Sequence, residues 1–256
     1  MPNWCDNNLT INGSYKELKR FYETAKGRGL HWDESGVRKV TETKGIRKHT
    51  KEEYDIPTES IDFSQFMFPV GVKGSFHDVG YHWCCDNWGT KWNACDSFCN
   101  WDEEPQDEET DELFYWFNTA WSPISEFLIN SMQELFPTLK FNLSFSEGGM
   151  GFYGGYDDEN GYLSYDFPTN EDIEDLFDRL INIGYFNTEE CNEEYSIEDY
   201  RSDCVCDLYD KFTDIIADDN EEKTADDLYD YLVKEMLWEQ SKKKGEDLYA
   251  SGNEKN

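Results

Sequence analysis

The sequence predicts a mixed α+β fold, and three observations carry this prediction. Stretches in which apolar residues alternate with polar ones, such as Leu9 and Ile11 in "NNLTING", are typical of half-buried strands. Two stretches with apolar residues at helical spacing, 14–27 and 122–137, are separated by further strand-like segments. The order is therefore β-α-β-β-α-β, the ferredoxin-like antiparallel arrangement, with extra strands after it.

The first helix and the segment after it differ sharply in pattern. Ser14 and Glu17 have the spacing of a capping box, Leu18 begins an apolar stripe, and Gly27 marks the helix end. Residues 28–60 are polar and mixed in charge, with few apolar residues and no clear period. They predict an insertion, either a mobile loop or a small subdomain.

The middle of the chain predicts a hairpin followed by a helix. "ACDSFCNW" (94–101) and "LFYWFNTAW" (113–121) suit strands, and the acidic segment 102–112 suits the turn between them. Ser122 is placed to cap the next helix, and Pro137 is placed to end it. The predicted buried face of this helix consists of Ile124, Phe127, Leu128, Met132 and Leu135.

The last strands show the clearest alternation. Leu139, Phe141, Leu143 and Phe145 recur at period two, and Asn160-Gly161 is a hairpin signal in the segment that follows. The predicted core of the sheet domain is Leu9, Ile11, Leu18, Phe114, Trp116, Phe127, Leu128, Phe141 and Leu143.

The predicted organisation has three parts. Residues 1–167 form the ferredoxin-like domain with its insertion at 28–60. Residues 168–245 form an acidic helical extension, with helices that begin near Thr169 and at Thr224. Residues 246–256 are predicted to be a disordered tail.

Charge is the strongest compositional signal. The net charge is −33, and it is uneven: residues 61–170 hold 3 Lys or Arg against 19 Asp or Glu, and residues 171–256 hold 9 against 27. Such a field repels nucleic acid and anionic lipid and attracts basic surfaces. The alternative is that the acidic surface only keeps the protein soluble.

Targeting signals and cysteine content predict the cellular compartment. The segment "MPNWCD" lacks the features of a secretory signal, and no apolar run approaches the about 18 residues of a membrane helix. We therefore expect a soluble protein of the cytoplasm with no membrane contact. The eight cysteines are expected to be reduced and mostly buried thiols.

No cofactor and no catalytic activity are predicted. The cysteines at 84, 85, 95 and 99 include a vicinal pair, which is not the spacing of a structural zinc site. The "GMGFYG" stretch has glycine spacing but is followed by an acidic hairpin instead of a helix. The acidic stretches "DDENG" and "ADDNEE" do not fit a calcium-loop frame, and hydrolase motifs are missing from the sequence.

One aromatic motif keeps two interpretations. The tryptophans and the lysine concerned are Trp83, Trp88, Lys91, Trp92 and Trp121. They could pack over one face of the sheet, with the lysine stem against an indole. They could also form an exposed platform around a cation, for a peptide or a base.

Four motifs together resemble the YubB ferredoxin-like family of phage and plasmid proteins. They are "MPNWCDNNLTING", "WGTKWNA", "FNTAWSPIS" and "SEGGMGFYGG", in this order. The resemblance covers about residues 1–165 without the insertion, and leaves out the helical extension. It implies a ferredoxin-like fold and a mobile-element setting, in which genes often disarm host defence.

The functional hypothesis joins this setting to the charge. It is a counter-defence protein, of the anti-CRISPR or anti-restriction kind, in the host cytoplasm. Its acidic surface would compete with nucleic acid for a basic nucleic-acid-binding protein or nuclease complex. The candidate contact residues are Asp102, Glu103, Glu104, Asp107, Glu108, Glu109, Asp111, Glu112, Glu171, Asp172, Asp218, Asp219, Glu221, Glu222, Asp226 and Asp227. The alternative is an RNA- or single-stranded-DNA-binding module that stacks bases on Tyr115, Phe117 and Trp121.

Overall fold

The structure is a computed structural model. It describes residues 3–41, 44–46, 53–55, 58–102, 108–186, 196–216 and 222–253. Contacts divide the chain into two compact units, Met1–Tyr165 and Asp166–Asn256.

A six-stranded sheet dominates the first part of the chain. Its elements, with those of the insertion, are β1 (Trp4–Asn12), α1 (Tyr15–Ala25), β2 (Leu30–Asp33), β3 (Gly36–Lys39), β4 (Lys44–Ile46), β5 (Glu53–Asp55), α2 (Tyr81–Trp88), β6 (Cys95–Cys99), β7 (Glu112–Ala120), α3 (Glu126–Leu135), β8 (Lys140–Glu147), β9 (Phe152–Asp157) and β10 (Gly161–Asp166). The strand order is β10-β9-β8-β1-β7-β6, and β1 runs antiparallel to both neighbours. Helices α1 and α3 contribute to one core on one face of the sheet. The ferredoxin-like prediction is confirmed, and β9 and β10 extend that sheet.

The insertion at 28–60 contains two hairpins. Strands β2 and β3 pair antiparallel, and so do β4 and β5. Trp32 of β2 is buried in the main core, so the first hairpin packs against the sheet domain.

The faces of β7 are set by its register with β1. Leu9 and Ile11 are buried, and they lie opposite Tyr115 and Leu113. Directly opposed residues share a face of the sheet, so Leu113, Tyr115 and Phe117 enter the core and are buried. The prediction that Phe114 and Trp116 belong to the core is wrong, because both lie on the opposite face and are only half-buried.

Helix α1 has the predicted stripe but not the predicted cap. Leu18 and Phe21 are fully buried. Ser14 is the N-cap residue, but its side chain makes no capping hydrogen bond. Glu17 instead accepts from Arg20 at 2.7 Å, so the capping-box prediction is wrong.

Helix α3 starts later than predicted. Its cap is Ser125, whose Oγ accepts from the Leu128 N–H at 3.2 Å, and the helical residues begin at Glu126. The prediction of Ser122 as cap is wrong, because the Ser122 hydroxyl donates to the Gly89 carbonyl.

The buried face of α3 also differs from the predicted one. Leu128, Ile129 and Met132 are buried, and Ile124 enters the core from the preceding loop. Phe127 is 69% exposed and Leu135 is 47% exposed. Their placement in the core is therefore wrong.

The last strands follow their alternation. Leu139, Phe141, Leu143 and Phe145 are all buried, as predicted. The glycine-rich segment after β8 leads into strand β9.

The described residues of the second unit form three helices. They are α4 (Asn170–Asn182), α5 (Ile197–Ile216) and α6 (Ala225–Asn253). Thr169 caps α4 and Thr224 caps α6, each hydroxyl accepting from the N–H of an aspartate three residues later. The buried side chains of this unit include Ile173, Leu176, Phe177, Leu180, Leu208, Phe212, Leu228 and Leu232. Helix α6 continues through residues 246–253, where a disordered tail was predicted.

Two neighbouring residues of α3 test the helix orientation. We expect Leu128→Ala to lower the free energy of unfolding by about 2–5 kcal/mol, because it opens a cavity in the core. Phe127→Ala removes a larger side chain from the surface, and we expect a change within about 0.5 kcal/mol. Urea unfolding followed by tryptophan fluorescence measures both values. Equal losses for the two variants would contradict this orientation.

Candidate functional site

Three tryptophans and one lysine form an exposed cluster beside the ends of β1 and β7. We define the tryptophan corner as Trp4, Lys91, Trp92 and Trp121. The indoles of Trp4 and Trp92 lie 6.1 Å apart, and the three tryptophans are 39%, 38% and 41% exposed. The Lys91 ammonium lies 4.1 Å from the ring centre of Trp92 and 5.7 Å from that of Trp121. The cation is therefore held between two indole faces.

The backbone near Trp121 ties this corner together. The Trp121 N–H donates to the Asn3 carbonyl at 3.0 Å. Trp121 has φ +75°, a left-handed conformation that costs a bulky residue energy. Buried Thr90 and Ala120 exchange hydrogen bonds of 3.2 and 3.1 Å, which hold the strand end against the motif around Lys91.

The turn after α2 fits closely against the loop before α3. Gly89 ends α2 with φ +84°, and its carbonyl accepts from the Ser122 hydroxyl at 2.8 Å. The Ser125 N–H donates to the Trp88 carbonyl at 2.8 Å. A Cβ on Gly89 would lie 2.6 Å from the Ser125 nitrogen, so only glycine fits this approach.

A buried asparagine joins β1 to the same loop. Asn7 is fully buried, and its Nδ2 donates to the Thr119 Oγ1 at 2.8 Å and to the Cys5 carbonyl at 2.9 Å. Its Oδ1 accepts from the Ile124 N–H at 3.4 Å. The amide thus links the strand pair β1–β7 to the segment that leads into α3.

The glycine-rich motif after β8 reaches this region too. Glu147 is buried, and its carboxylate accepts from the N–H groups of Gly149 and Met150. A Cβ on Gly149 would lie 2.5 Å from the Asn3 Nδ2, so this turn lies against the residue that precedes β1. All four motifs quoted from the sequence therefore meet at one end of the sheet.

The two interpretations of the tryptophan motif apply to different residues. Trp88 is 2% exposed, its Nε1 donates to the Met67 carbonyl at 3.1 Å, and its ring meets that of Trp83 edge-on at 5.5 Å. These two tryptophans pack. Lys91, Trp92 and Trp121 form the exposed part, and Trp4 is the fourth member that sequence reasoning missed. Only its place at the start of the first motif pointed to it.

A cavity of about 340 Å³ lies beside the corner. Lys91 and Trp92 line it from one side, and Trp32 of the insertion hairpin lines it from another. Four of the nine residues that line the cavity are tryptophan or phenylalanine, and all nine belong to the first unit.

Burial makes the cysteines of the motif region weaker acids than a free thiol. Burial raises the pKa of Cys84 to about 12 and that of Cys99 to about 11. The Cys95 pKa is also raised to about 11, first by burial and then by the charges of Glu59 and Asp96. Within the described residues, no group of three or more His, Cys, Asp or Glu side chains could hold a metal ion.

In the acidic turn, Asp102 makes several internal contacts, and the acidic residues after it that the structure describes are exposed. Asp102 accepts from Lys26 at 2.7 Å, from Tyr22 at 2.9 Å and from Ser60 at 2.6 Å, so it holds the insertion to α1. The exposed acidic residues after it are Glu108, Glu109, Asp111 and Glu112. Glu103, Glu104 and Asp107 lie outside the described residues.

Several acidic candidates of the second unit also make contacts within the protein. Asp172 and Asp227 serve as capping partners of Thr169 and Thr224, and these hydrogen bonds lower both carboxyl pKa values. Asp226 forms an ion pair with Arg179 at 2.6 Å. Glu171 and Glu222 are exposed. Asp218, Asp219 and Glu221 lie outside the described residues.

The comparisons with known proteins concern the fold. A family model described as a ferredoxin-like domain in Api92-like protein matches residues 100–224. The match runs past residue 165, where the sequence resemblance ends, and includes α4 and α5. The chain is an α+β protein with a ferredoxin-like domain.

One solved structure among those compared is the crystal structure of protein Api92 from Yersinia pseudotuberculosis. It is 10% identical, with a TM-score of 0.41, over 66% of this chain and 99% of that chain. No curated protein matches the sequence. Within the described residues, no helix is both long and apolar enough to span a membrane.

A glycine pair tests the corner. We expect Gly89→Ala to destabilise the protein by about 1–3 kcal/mol, because of its positive φ and its contact with the Ser125 nitrogen. Gly148→Ala is the matched control, since a Cβ there meets nothing within 4 Å, and we expect a change within about 0.5 kcal/mol. Thermal unfolding by circular dichroism compares the two. A Gly89→Ala protein as stable as its control would exclude the described turn.

The thiols give a prediction on pH. At pH 8 we expect iodoacetamide to modify exposed Cys206 quickly and buried Cys84 and Cys99 slowly, which peptide mass spectrometry measures. Folding favours the protonated form of a thiol whose pKa is raised. The stabilisation that such a thiol contributes is complete below its unfolded-state pKa of about 8.5. It is lost as the pH rises toward the folded-state pKa. The free energy of unfolding should therefore fall between about pH 8.5 and 12. Equal modification rates at all three cysteines would contradict the burial.

Proposed function

We propose that this protein is a non-catalytic inhibitor that binds a basic, nucleic-acid-binding surface of a host defence complex. The complex would be of the kind that anti-CRISPR or anti-restriction proteins inhibit. The observation that carries the proposal is that the second unit presents its charge on packed helices. Residues 166–256 hold 28 Asp or Glu against 9 Lys or Arg, a net charge of −19.

The helices separate apolar and acidic faces. Leu208 and Phe212 of α5 are buried, whereas Asp203, Asp207 and Asp210 are exposed. Residues three and four apart lie on one helix face, so these carboxylates form a row. At a rise of about 1.5 Å per residue, neighbours in the row are about 4.5–6 Å apart along the axis. A nucleic-acid strand carries one charge per about 3.4 Å, a spacing of the same order.

Internal cations neutralise part of the acidic surface. Arg201 forms ion pairs with Glu174 and Asp178 of α4. Asp102, Asp172, Asp226 and Asp227 have the internal contacts described above. The proposed partner surface of the second unit therefore relies on exposed residues of α5 and on Glu171 and Asp175 of α4. The exposed acidic residues at 108–112 belong to the first unit and are a separate candidate contact.

The biological setting belongs to the same proposal. The four motifs support a relationship to the YubB family, and through it a phage or plasmid origin and a role in the host cytoplasm. Their meeting at one end of the sheet supports this relationship, because separate chance matches would have no reason to converge.

Of the three residues first named for the alternative nucleic-acid function, only Trp121 is exposed, at 41%. Tyr115 and Phe117 are fully buried, so neither can stack a base. The face opposite the helices carries Phe98 beside Trp116, with Phe98 36% exposed. Binding of single-stranded RNA that is lost in Phe98→Ala would favour this alternative.

A charge-neutralising set tests the inhibitor proposal. We expect tagged protein to enrich nucleic-acid-binding proteins from a bacterial lysate, and added duplex DNA to compete. The acidic variant is Asp175→Asn, Asp207→Asn and Asp210→Asn, and the control of equal charge is Glu34→Gln, Asp86→Asn and Glu134→Gln. The acidic variant should lose at least about tenfold of the captured partner, and the control should not.

Salt and competition provide the contrary outcomes. Capture should weaken from low to moderate salt, since the attraction is screened. Equal capture by both triple variants, or capture that duplex DNA leaves unchanged, would rule out competition by the acidic helices.

A further inference from the structure

We propose that the cavity beside the tryptophan corner binds a small planar aromatic anion, an aryl carboxylate or aryl phosphate. This site is separate from the acidic helices, and it does not depend on the function proposed for them. It lies between the insertion hairpin, α2 and the segment after α2.

The size and walls of the cavity suit a flat apolar group. Its volume of about 340 Å³ is in the lower range of small-molecule pockets, about 300–1,000 Å³. Four aromatic residues line it: Trp32, Phe76, Trp88 and Trp92. The rings of Trp32 and Phe76 meet edge-on at 6.3 Å, so they present ring surfaces in different directions. Such walls favour a planar aromatic guest through stacked and edge contacts.

Two polar groups of the lining are already engaged with the protein. The Asn93 amide donates to the Asp62 Oδ1 at 2.9 Å and accepts from the Phe63 N–H at 2.9 Å. The Trp88 Nε1 donates to the Met67 carbonyl. These contacts hold the walls of the cavity in position. Hydrogen bonds to a ligand would therefore come from other side chains of the lining.

The remaining ionisable donors of the lining are Lys91 and His31. The Lys91 ammonium lies over the Trp92 ring, in half-buried surroundings where a charge–charge contact is stronger than in water. His31 lies opposite Arg38 in the β2–β3 register, and its Nε2 is 3.5 Å from the Asp33 carboxylate. Because Asp33 competes for His31, Lys91 is the principal anion contact.

Lys91 also determines the sign of the ligand charge. It is one of three cations between residues 61 and 170, with Lys73 and Lys140, and the other two do not line the cavity. A lysine ammonium is a point charge that accepts either a carboxylate or a phosphate. Cys84 lines the cavity as a buried thiol.

A matched series of naphthalene probes tests the site. The probes are 2-naphthoate, 2-naphthyl phosphate, 2-naphthalenemethanol and 2-naphthylmethylammonium, titrated by calorimetry into the full chain. We expect at least one anion to bind about tenfold tighter than the alcohol, and the ammonium to bind most weakly. The stronger of the two anions indicates the natural group.

Three variants assign the contact. Lys91→Gln should reduce anion affinity to that of the alcohol and leave alcohol binding within about twofold. Lys91→Arg should retain the preference for anions. Lys140→Gln makes the same charge change outside the cavity and should alter nothing. Unchanged urea midpoints would show that the variants fold.

Three results would contradict the proposed anion site. No saturable binding of any probe would overturn the site. Equal affinity for anion, alcohol and ammonium in the unaltered protein would overturn the anion assignment. An equal loss in Lys91→Gln and Lys140→Gln would overturn the role of Lys91. The outcome of the lysate capture affects none of these conclusions.

Discussion

The rest of the sheet domain depends on the register of the central strand β1. It pairs with β7 on one side and β8 on the other, so that Leu9 lies opposite both Tyr115 and Leu143. A shift of one residue would expose Leu9 and Ile11 and bury the polar residues between them. The same register brings Trp4 opposite Ala120, and so places the tryptophan corner at that end of the sheet.

Asn7 ties this register to the loops. It is a polar residue in the core, and each of its amide groups has a partner. An unpaired buried amide costs free energy, so a shifted strand would lose both the apolar contacts and these hydrogen bonds. The burial of Asn7 thus favours one pairing over its neighbours. The same hydrogen bonds fix the position of the tryptophan corner, because Thr119 and Ile124 lie on either side of Trp121 in the chain.

The elements that could be predicted are those whose local pattern is unambiguous. β8 alternates apolar and polar residues, and its buried face follows from the sequence. β7 is apolar on both faces, so its own pattern does not distinguish Tyr115 from Trp116, and only the pairing with β1 decides. In α3 the N-cap is Ser125 and not Ser122, the predicted residue. The choice depends on Gly89, which is distant in sequence.

The same distinction applies to the candidate sites. The caps at Thr169 and Thr224 are local, and sequence reasoning found them. The engagement of Asp102 depends on Tyr22, Lys26 and Ser60, which are at least 42 residues away in the chain, so counting charges could not reveal it. The tryptophan motif was visible as a motif. Its division into a packed pair and an exposed group required the three-dimensional positions of Trp4 and Trp121.

The charge distribution along the sequence differs between the two proposed surfaces. Most of the cations of the first unit lie before residue 60, whereas Lys91 stands nearly alone in an acidic stretch. Solubility alone does not require a cation to lie between two indoles beside a cavity, as Lys91 does. The acidic helices require no such arrangement, because a row of carboxylates acts through its field over several ångströms. The two proposals therefore rest on different interactions, long-range charge for the acidic helices and short-range aromatic contact for the cavity.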